Sequence, residues 1–172
     1  FDDQLGFENW NDALVDHWCS IKKGITREAV RDAGGRLAKW PKKDGKYPCI
    51  AIPVFGKQLT GGAIQGWILW HRGGRELPVF NQGKGVPPKW VKVKSLHGST
   101  KGWMGRGALD RIADARIVWK VEGPADMLAL SALIPPELQL EHVVITNSGG
   151  CSEIPDREML ACLEGKIVYV LH

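Results

Sequence analysis

Apolar positions recur every three to four residues near the start of the chain, at Trp10, Leu14, Trp18 and Ile21. That spacing predicts an amphipathic helix. Gly24 ends this segment. Thr26 is a suitable N-cap for a short second helix, and Gly34-Gly35 closes it. From Tyr47 the pattern turns strand-like. Ile50 to Phe55 and Ile64 to Trp70 read as two strands joined through Gly56 and Gly61-Gly62. Pro53 within the first of them predicts an edge strand or a bulge. Leu77 to Phe80 adds a third strand. From Asn81 to Gly107, Gly, Pro and Lys dominate, with one short alternating run from Trp90 to Lys94.

The second half is more regular. Ile117 to Val121, Val143 to Thr146 and Ile167 to Leu171 are short apolar strands. Between them lie two helices, Pro124 to Leu133 and Pro155 to Leu163, each opened by a proline at the favoured first position. Strand–helix–strand–helix–strand with apolar strands predicts a parallel sheet covered on both faces. The expected fold class is therefore α/β, or α+β overall: a mixed helix and antiparallel-sheet subdomain over 1–111, then a parallel β-α-β-α-β subdomain over 112–172. There is no internal repeat.

Composition narrows the class. The chain has 172 residues, 44% of them hydrophobic and 24% charged, which suits one ordinary folded domain or two small ones. No apolar run approaches the ~18 residues of a membrane helix, and no secretory leader opens the chain. Four scattered cysteines, Cys19, Cys49, Cys151 and Cys162, do not make a disulfide scaffold, so a reducing cytoplasm is expected. His17-x-Cys19 and the other three lack zinc-site spacing.

Charge is concentrated rather than merely positive. Of the formal +4, the stretch from Arg72 to Arg106 holds eight basic residues and one acid, so it carries +7 and the remainder −3. Trp70, Trp90 and Trp103 flank or interrupt it. The plain reading is a solvated basic face over buried tryptophans. The functional one is a surface for single-stranded nucleic acid, with Lys/Arg on phosphates and rings on bases.

Ligands of parallel sheets sit beyond the carboxyl ends of the strands. Those ends are Glu122, the loop Asn147-Ser148-Gly149-Gly150, and His172. Glu122 follows an apolar run and precedes Gly123-Pro124-Ala125-Asp126. Gly123 lets the backbone turn tightly. Asp126 falls in the helix's first turn, where the macrodipole favours an acid, and that alone accounts for it. Glu122 at a strand end beside a helix N-terminus is placed to hold a divalent ion or move a proton, although many such strands simply end in an acid.

Val121-Glu122-Gly123-Pro124-Ala125-Asp126-Met127-Leu128 resembles the first motif of Toprim domains, E-G-x-x-D, in the form found in bacterial primases and phage or plasmid primase-helicases. Further segments resemble that catalytic core in the same order. Lys23-Gly24-Ile25-Thr26 stands where the family has a basic-Gly-Ile-Ser/Thr opening, usually with Arg. Pro48 to Phe55 and Gly66 to Arg75 resemble a strand pair ending in G-G-R, here His71-Arg72-Gly73-Gly74-Arg75. Lys94 to Ser99 stands at a lysine-bearing segment, and Asn147 to Gly150 at the glycine loop.

The resemblance implies a DNA primase core that makes RNA primers on single-stranded DNA from ribonucleoside triphosphates. It implies Mg²⁺ or Mn²⁺ as cofactor and a replicative helicase, fused or separate, as partner. Glu122 would be general base or metal ligand, with Asp126 supporting that edge. Gly123, Gly149 and Gly150 would line the site. Arg72, Arg75, Lys92, Lys94 and Lys101 would grip triphosphate or template. The family's third strand is followed by a metal-binding Asp-x-Asp pair, whereas this chain stops at Leu171-His172. The resemblance therefore implies a fragment, cut just before those acids and inactive as it stands. Two alternatives remain from the residues: a non-catalytic module that holds single strands, or another Toprim enzyme, a topoisomerase or nuclease. A topoisomerase needs a nucleophilic tyrosine. Tyr47 and Tyr169 are the two available, and Tyr169 falls in a strand expected to be buried.

Overall fold

The computed structural model describes residues 2–56, 63–80, 87–149 and 154–171. Within them α1 spans Asp12–Ile21 and α2 spans Arg27–Asp32. Asn11 caps α1 by accepting from the Leu14 N–H, and Thr26 caps α2 by accepting from Ala29. The buried face of α1 is Val15 and Trp18, whereas Leu14 and Ile21 of the predicted stripe are about two-fifths exposed, at 42% and 41%. Tertiary packing has rotated the helix by about one position from the simplest periodic reading.

Among the described residues nine strands form one mixed sheet. Its antiparallel part holds β1 (Gly6–Phe7), β2 (Arg36–Trp40), β3 (Tyr47–Phe55), β4 (Ile64–His71), β7 (Lys94–Ser95) and β8 (Trp103–Met104). Its parallel part holds β9 (Ile117–Val121), β10 (His142–Asn147) and β11 (Ile167–Leu171), with β9 in the middle. A separate two-stranded ribbon pairs β5 (Leu77–Val79) with β6 (Lys89–Val91). The fold is thus mixed α/β, with antiparallel strands preceding a parallel β-α-β-α-β run, as the patterning indicated. Among the described residues no helix is long and apolar enough to cross a membrane.

Three details differ from the sequence reading. Pro53 lies in an interior strand rather than at an edge, so of the two expectations it is the bulge that the structure bears out. β3 pairs with β4 on one edge, while the other is shared by β2, ending at Ala51, and β8, touching Phe55. Pro53 occupies the gap between those two partners, where its missing N–H leaves no ladder bond broken, and a register shift follows at Val54/Phe55. The run from Trp90 to Lys94 divides: Trp90 stays in the ribbon, and Lys94 joins β4 across from Leu69. The last helix is short. α5 covers Arg157–Leu160 under an Asp156 cap, and Ala161–Leu163 tightens into a 3₁₀ turn.

The parallel part is bridged by α4 (Pro124–Leu133), which follows β9. One core cluster joins Val121, Met127, Leu128 and Val144 to Trp18, Ile50, Ile52 and Trp70 of the antiparallel part. A second, on the other face of β9 and β10, packs Val118, Val143 and Ile145 against Ala108 of α3 (Arg106–Arg111), Ile112 at its C-cap and Met159 of α5. β11 is the exception. All five of its residues, apolar on both faces, are at least 36% exposed. Tyr169 is 46% exposed and stacks on Trp119 at 4.6 Å, so it is not the buried residue that its strand suggested.

The antiparallel and parallel parts meet at β8. Its two residues pair with Thr146 and Asn147 of β10, and Trp103 also faces Phe55. Gly102 extends the junction: its N–H donates to Ser148 Oγ at 3.1 Å, and its carbonyl accepts from the Ser148 N–H at 2.9 Å. A β-carbon on Gly102 would collide with the carbonyl oxygen of Phe55. Backbone cannot yield there as a side-chain tip can. Gly102→Ala is expected to destabilise the fold by about 1–3 kcal/mol, read as a lowered urea midpoint. An unchanged midpoint would show that the junction is loose.

Candidate active site

Glu122 is exposed at the carboxyl end of β9, flanked in register by the ends of β10 and β11. The Thr146 hydroxyl donates to the Val121 carbonyl at 2.9 Å, so the β9 and β10 ends are fastened together one residue before the acid. Gly123 is the extended N-cap of α4 and makes no side-chain cap bond. Its carbonyl accepts from Met127, closing the first turn. Asp126 is exposed in that turn, and its carboxylate lies 3.3 Å from where a Gly123 β-carbon would stand. A larger residue at 123 would crowd the two acids' shared approach to the helix end. The macrodipole favours Asp126 there on its own account.

Gly149 follows β10 at the same edge, half-buried; Gly150 lies outside the described residues. Lys101 joins them. The Gly102–Ser148 bonds set Lys101 beside the Gly149 end of β10, and its side chain is exposed. The loop before α2 also approaches α4: a β-carbon on Gly24, at φ +85°, would lie 3.8 Å from Ala129. Glu122, Gly123, Asp126, Gly149 and Lys101 therefore share one edge, with the Lys23-Gly24 loop alongside α4.

The other basic residues gather elsewhere. His71 pairs with Cys49, six residues back along β3 from the β8 junction at Phe55. That is about 20 Å along the strand at ~3.3 Å per residue. The His71–Arg75 turn therefore lies at the far end of β4. Within it Arg72 is only 12% exposed in its side chain and is ion-paired to Glu8 at 2.9 Å. Arg75 is exposed. Lys94 is buried: its ammonium donates to the Pro78 carbonyl at 3.1 Å and sits 4.5 Å from the Trp40 ring centre. Burial lowers its pKa below the usual lysine value. It anchors the ribbon and is not presented to a ligand. Lys92 is exposed beyond β6.

The tryptophans divide in the same way. Trp70 and Trp103 are core residues, and Trp90 is 50% exposed. Cys49 is buried, and that burial pushes its thiol up to about 12, which removes it as a nucleophile. Among the described residues no group of three or more His, Cys, Asp and Glu could hold a metal ion. Glu122 and Asp126 bring two carboxylates to the edge. A magnesium centre there would need further ligands from outside the described residues.

Sequence reasoning did not find a cleft of about 580 Å³ at the opposite end of the parallel strands from Glu122. Asp32, Arg111, Ser131, Ile134 and His142 are among its walls, and Asp32 grips Arg111 through two bonds of 2.9 and 3.1 Å. Nothing in the spacing of those residues marks them as neighbours; only the packing of α2 on α3 and α4 does.

No family model matches the chain. No curated protein matches it either. Among solved structures, the crystal structure of the Aquifex aeolicus primase, comprising its zinc-binding and RNA polymerase domains, is similar at 19% identity and a TM-score of 0.41. The similarity covers 97% of this chain and 37% of that one, so the chain spans little more than a third of the protein it matches.

One group in the basic turn has a distinct pH response. The Gly73 N–H donates to His71 Nδ1 at 2.9 Å, which requires that nitrogen unprotonated. Burial first, then the Arg75 and Arg72 charges, lowers the His71 pKa below its ordinary 6.5. The unfolded chain therefore takes up this proton at a higher pH than the folded one. The contribution of neutral His71 is present above about pH 6.5 and is lost as pH falls through the lowered value. Urea midpoints are expected to fall between pH 7 and 5, and less so in His71→Asn, whose amide oxygen can accept the same bond without titrating. Equal slopes in both proteins would remove His71 from that response.

Proposed function

We propose that the chain is the catalytic core of a DNA primase, joining ribonucleotides on a single-stranded DNA template. The observation that carries this reading is the local setting of E-G-x-x-D. Glu122 ends the middle parallel strand, Gly123 makes the turn, and Asp126 lies in the first turn of α4. A carboxylate exposed at that edge can accept the proton that a ribose 3′-hydroxyl must lose to attack a triphosphate. Lys101, at the same edge, offsets charge on the triphosphate, and Gly149 leaves room for backbone to approach it. Arg75 and Lys92, farther off, meet the template rather than the reacting phosphorus.

The reading assigns 1–111 to template handling and 112–172 to a Toprim-like catalytic half. It expects Mg²⁺ or Mn²⁺, with Glu122 among the ligands and other carboxylates beyond those described. Its setting is DNA replication, next to a helicase that exposes the template.

The test is ribonucleotide incorporation on a single-stranded template, with magnesium, using the polypeptide continued past His172. Short RNA products are expected, with Glu122→Gln reducing them by at least about 10²-fold, the usual scale for losing an acid–base group. Products at the parent rate in that variant would sink the role given to Glu122. Absence of RNA from the parent would sink the primase reading.

A further inference from the structure

We propose that the β5–β6 ribbon is a stacking platform for single-stranded DNA, on which Phe80 and Trp90 take bases and Lys92, Lys89 and Lys46 meet phosphates. This deepens the primase reading by naming a surface that would hold the template, and it depends on that reading only for its use in priming.

The ribbon's register puts the two rings together. Trp90 stands directly across from Pro78, and Phe80 follows Pro78 by two residues, on the same face by strand alternation. Such diagonal neighbours are about 7–8 Å apart, within reach of aromatic side chains. Successive splayed nucleotides can match that spacing. Phe80 is 63% exposed, and Trp90 is the single exposed tryptophan of the eight. Phe80 rests on Trp40 with one side of its ring, and Trp90 leaves half its surface open, although burying such a ring would contribute roughly 1.5–3 kcal/mol in general.

The platform is also held in place. A two-stranded ribbon of three-residue strands is marginal alone. Here its inner side is fixed by fully buried Leu77 and by the Lys94 ammonium on the Pro78 carbonyl. The aromatic contacts run on past the ribbon through Trp40, itself buried at 7% exposure, to half-buried Tyr47. Phe80 lies 6.2 Å from Trp40, Trp40 lies 5.6 Å from Tyr47, and Lys46 stands over Tyr47 at 5.5 Å. Rings are thereby followed by an ammonium at each end, Lys92 and Lys46.

Charge identifies the partner. The ribbon carries exposed Lys89 and Lys92, with exposed Lys46 beside Tyr47, and no acid falls between Glu76 and Asp110 in sequence. Protein–protein interfaces deplete lysine at their cores, which argues against a protein as occupant. Duplex DNA keeps its base faces stacked inward and offers nothing to an exposed ring. Single strands offer both phosphates and free base faces.

The experiment uses the 172-residue chain and a fluorescein-labelled oligo(dT) of twenty nucleotides, without magnesium or nucleotides, read by anisotropy at several salt concentrations. Trp90→Ala and Phe80→Ala are each expected to weaken binding by about 5- to 150-fold, and Trp90→Phe by no more than about threefold. Lys92→Ala should reduce the salt slope by about 0.7. A duplex of equal length should bind less tightly. Thermal midpoints separate lost contacts from lost folding. If Trp90→Ala unfolds the chain, Phe80→Ser at the exposed strand end decides the matter. Parent-like affinity in the Phe80 and Trp90 variants would overturn the platform, since charge alone would then hold the strand. DNA binding that depends on Trp90, with no RNA synthesis by the continued polypeptide, would reject the primase reading and keep the platform. RNA synthesis with binding indifferent to Trp90 would do the reverse.

Discussion

The architecture hangs on a close backbone approach at the two-residue strand β8. Trp103 faces Phe55 on one side and Asn147 on the other, so an antiparallel ladder continues into a parallel one through a single rung. Gly102 lets the Phe55 carbonyl come where a side chain would otherwise stand, and it exchanges two hydrogen bonds with Ser148. Because the carboxyl ends of β10 and β9 are fastened by Thr146, this rung also fixes the height of Glu122 relative to Lys101. Stability and site geometry share one contact.

The basic stretch, continuous in sequence, serves two places. Lys101 belongs to the carboxyl edge, while Arg75 and Lys92 belong to the far end of β4 and the ribbon. Two of its members are structural. Arg72 is committed to Glu8, and Lys94 holds the ribbon to Trp40 and Pro78. The Lys94 ammonium is held by a carbonyl and an aromatic face, which replace part of its lost hydration.

Much of this was legible because its signals are local. Thr26, Gly123-Pro124 and the apolar runs at Ile117 and Val143 announce caps, turns and parallel strands within a few residues of themselves. Other features depend on partners distant in sequence. Nothing near Lys94 reveals that β7 leaves the ribbon to pair with Leu69 and so turns the lysine inward. Nothing near Pro53 reveals that two different strands share one edge of β3 and leave a gap for it. Trp70 and Trp103 read like Trp90 in the sequence, yet of the three only Trp90, in the two-stranded ribbon, is exposed. Glu122 and Asp126 were found at the edge where the motif put them. The separation of Arg72 and Arg75 from that edge follows from strand direction, which spacing does not encode.

β11 has consequences for how the molecule behaves in bulk. Ile167 to Leu171 present apolar side chains on both faces, and among the described residues their outer edge is unpaired, with no proline, lysine or bulge to blunt it. Such an edge is a template for another extended chain. A formal charge of +4 offers modest repulsion between copies. Charge screening by salt, which loosens polyanions from the lysines, also weakens that repulsion.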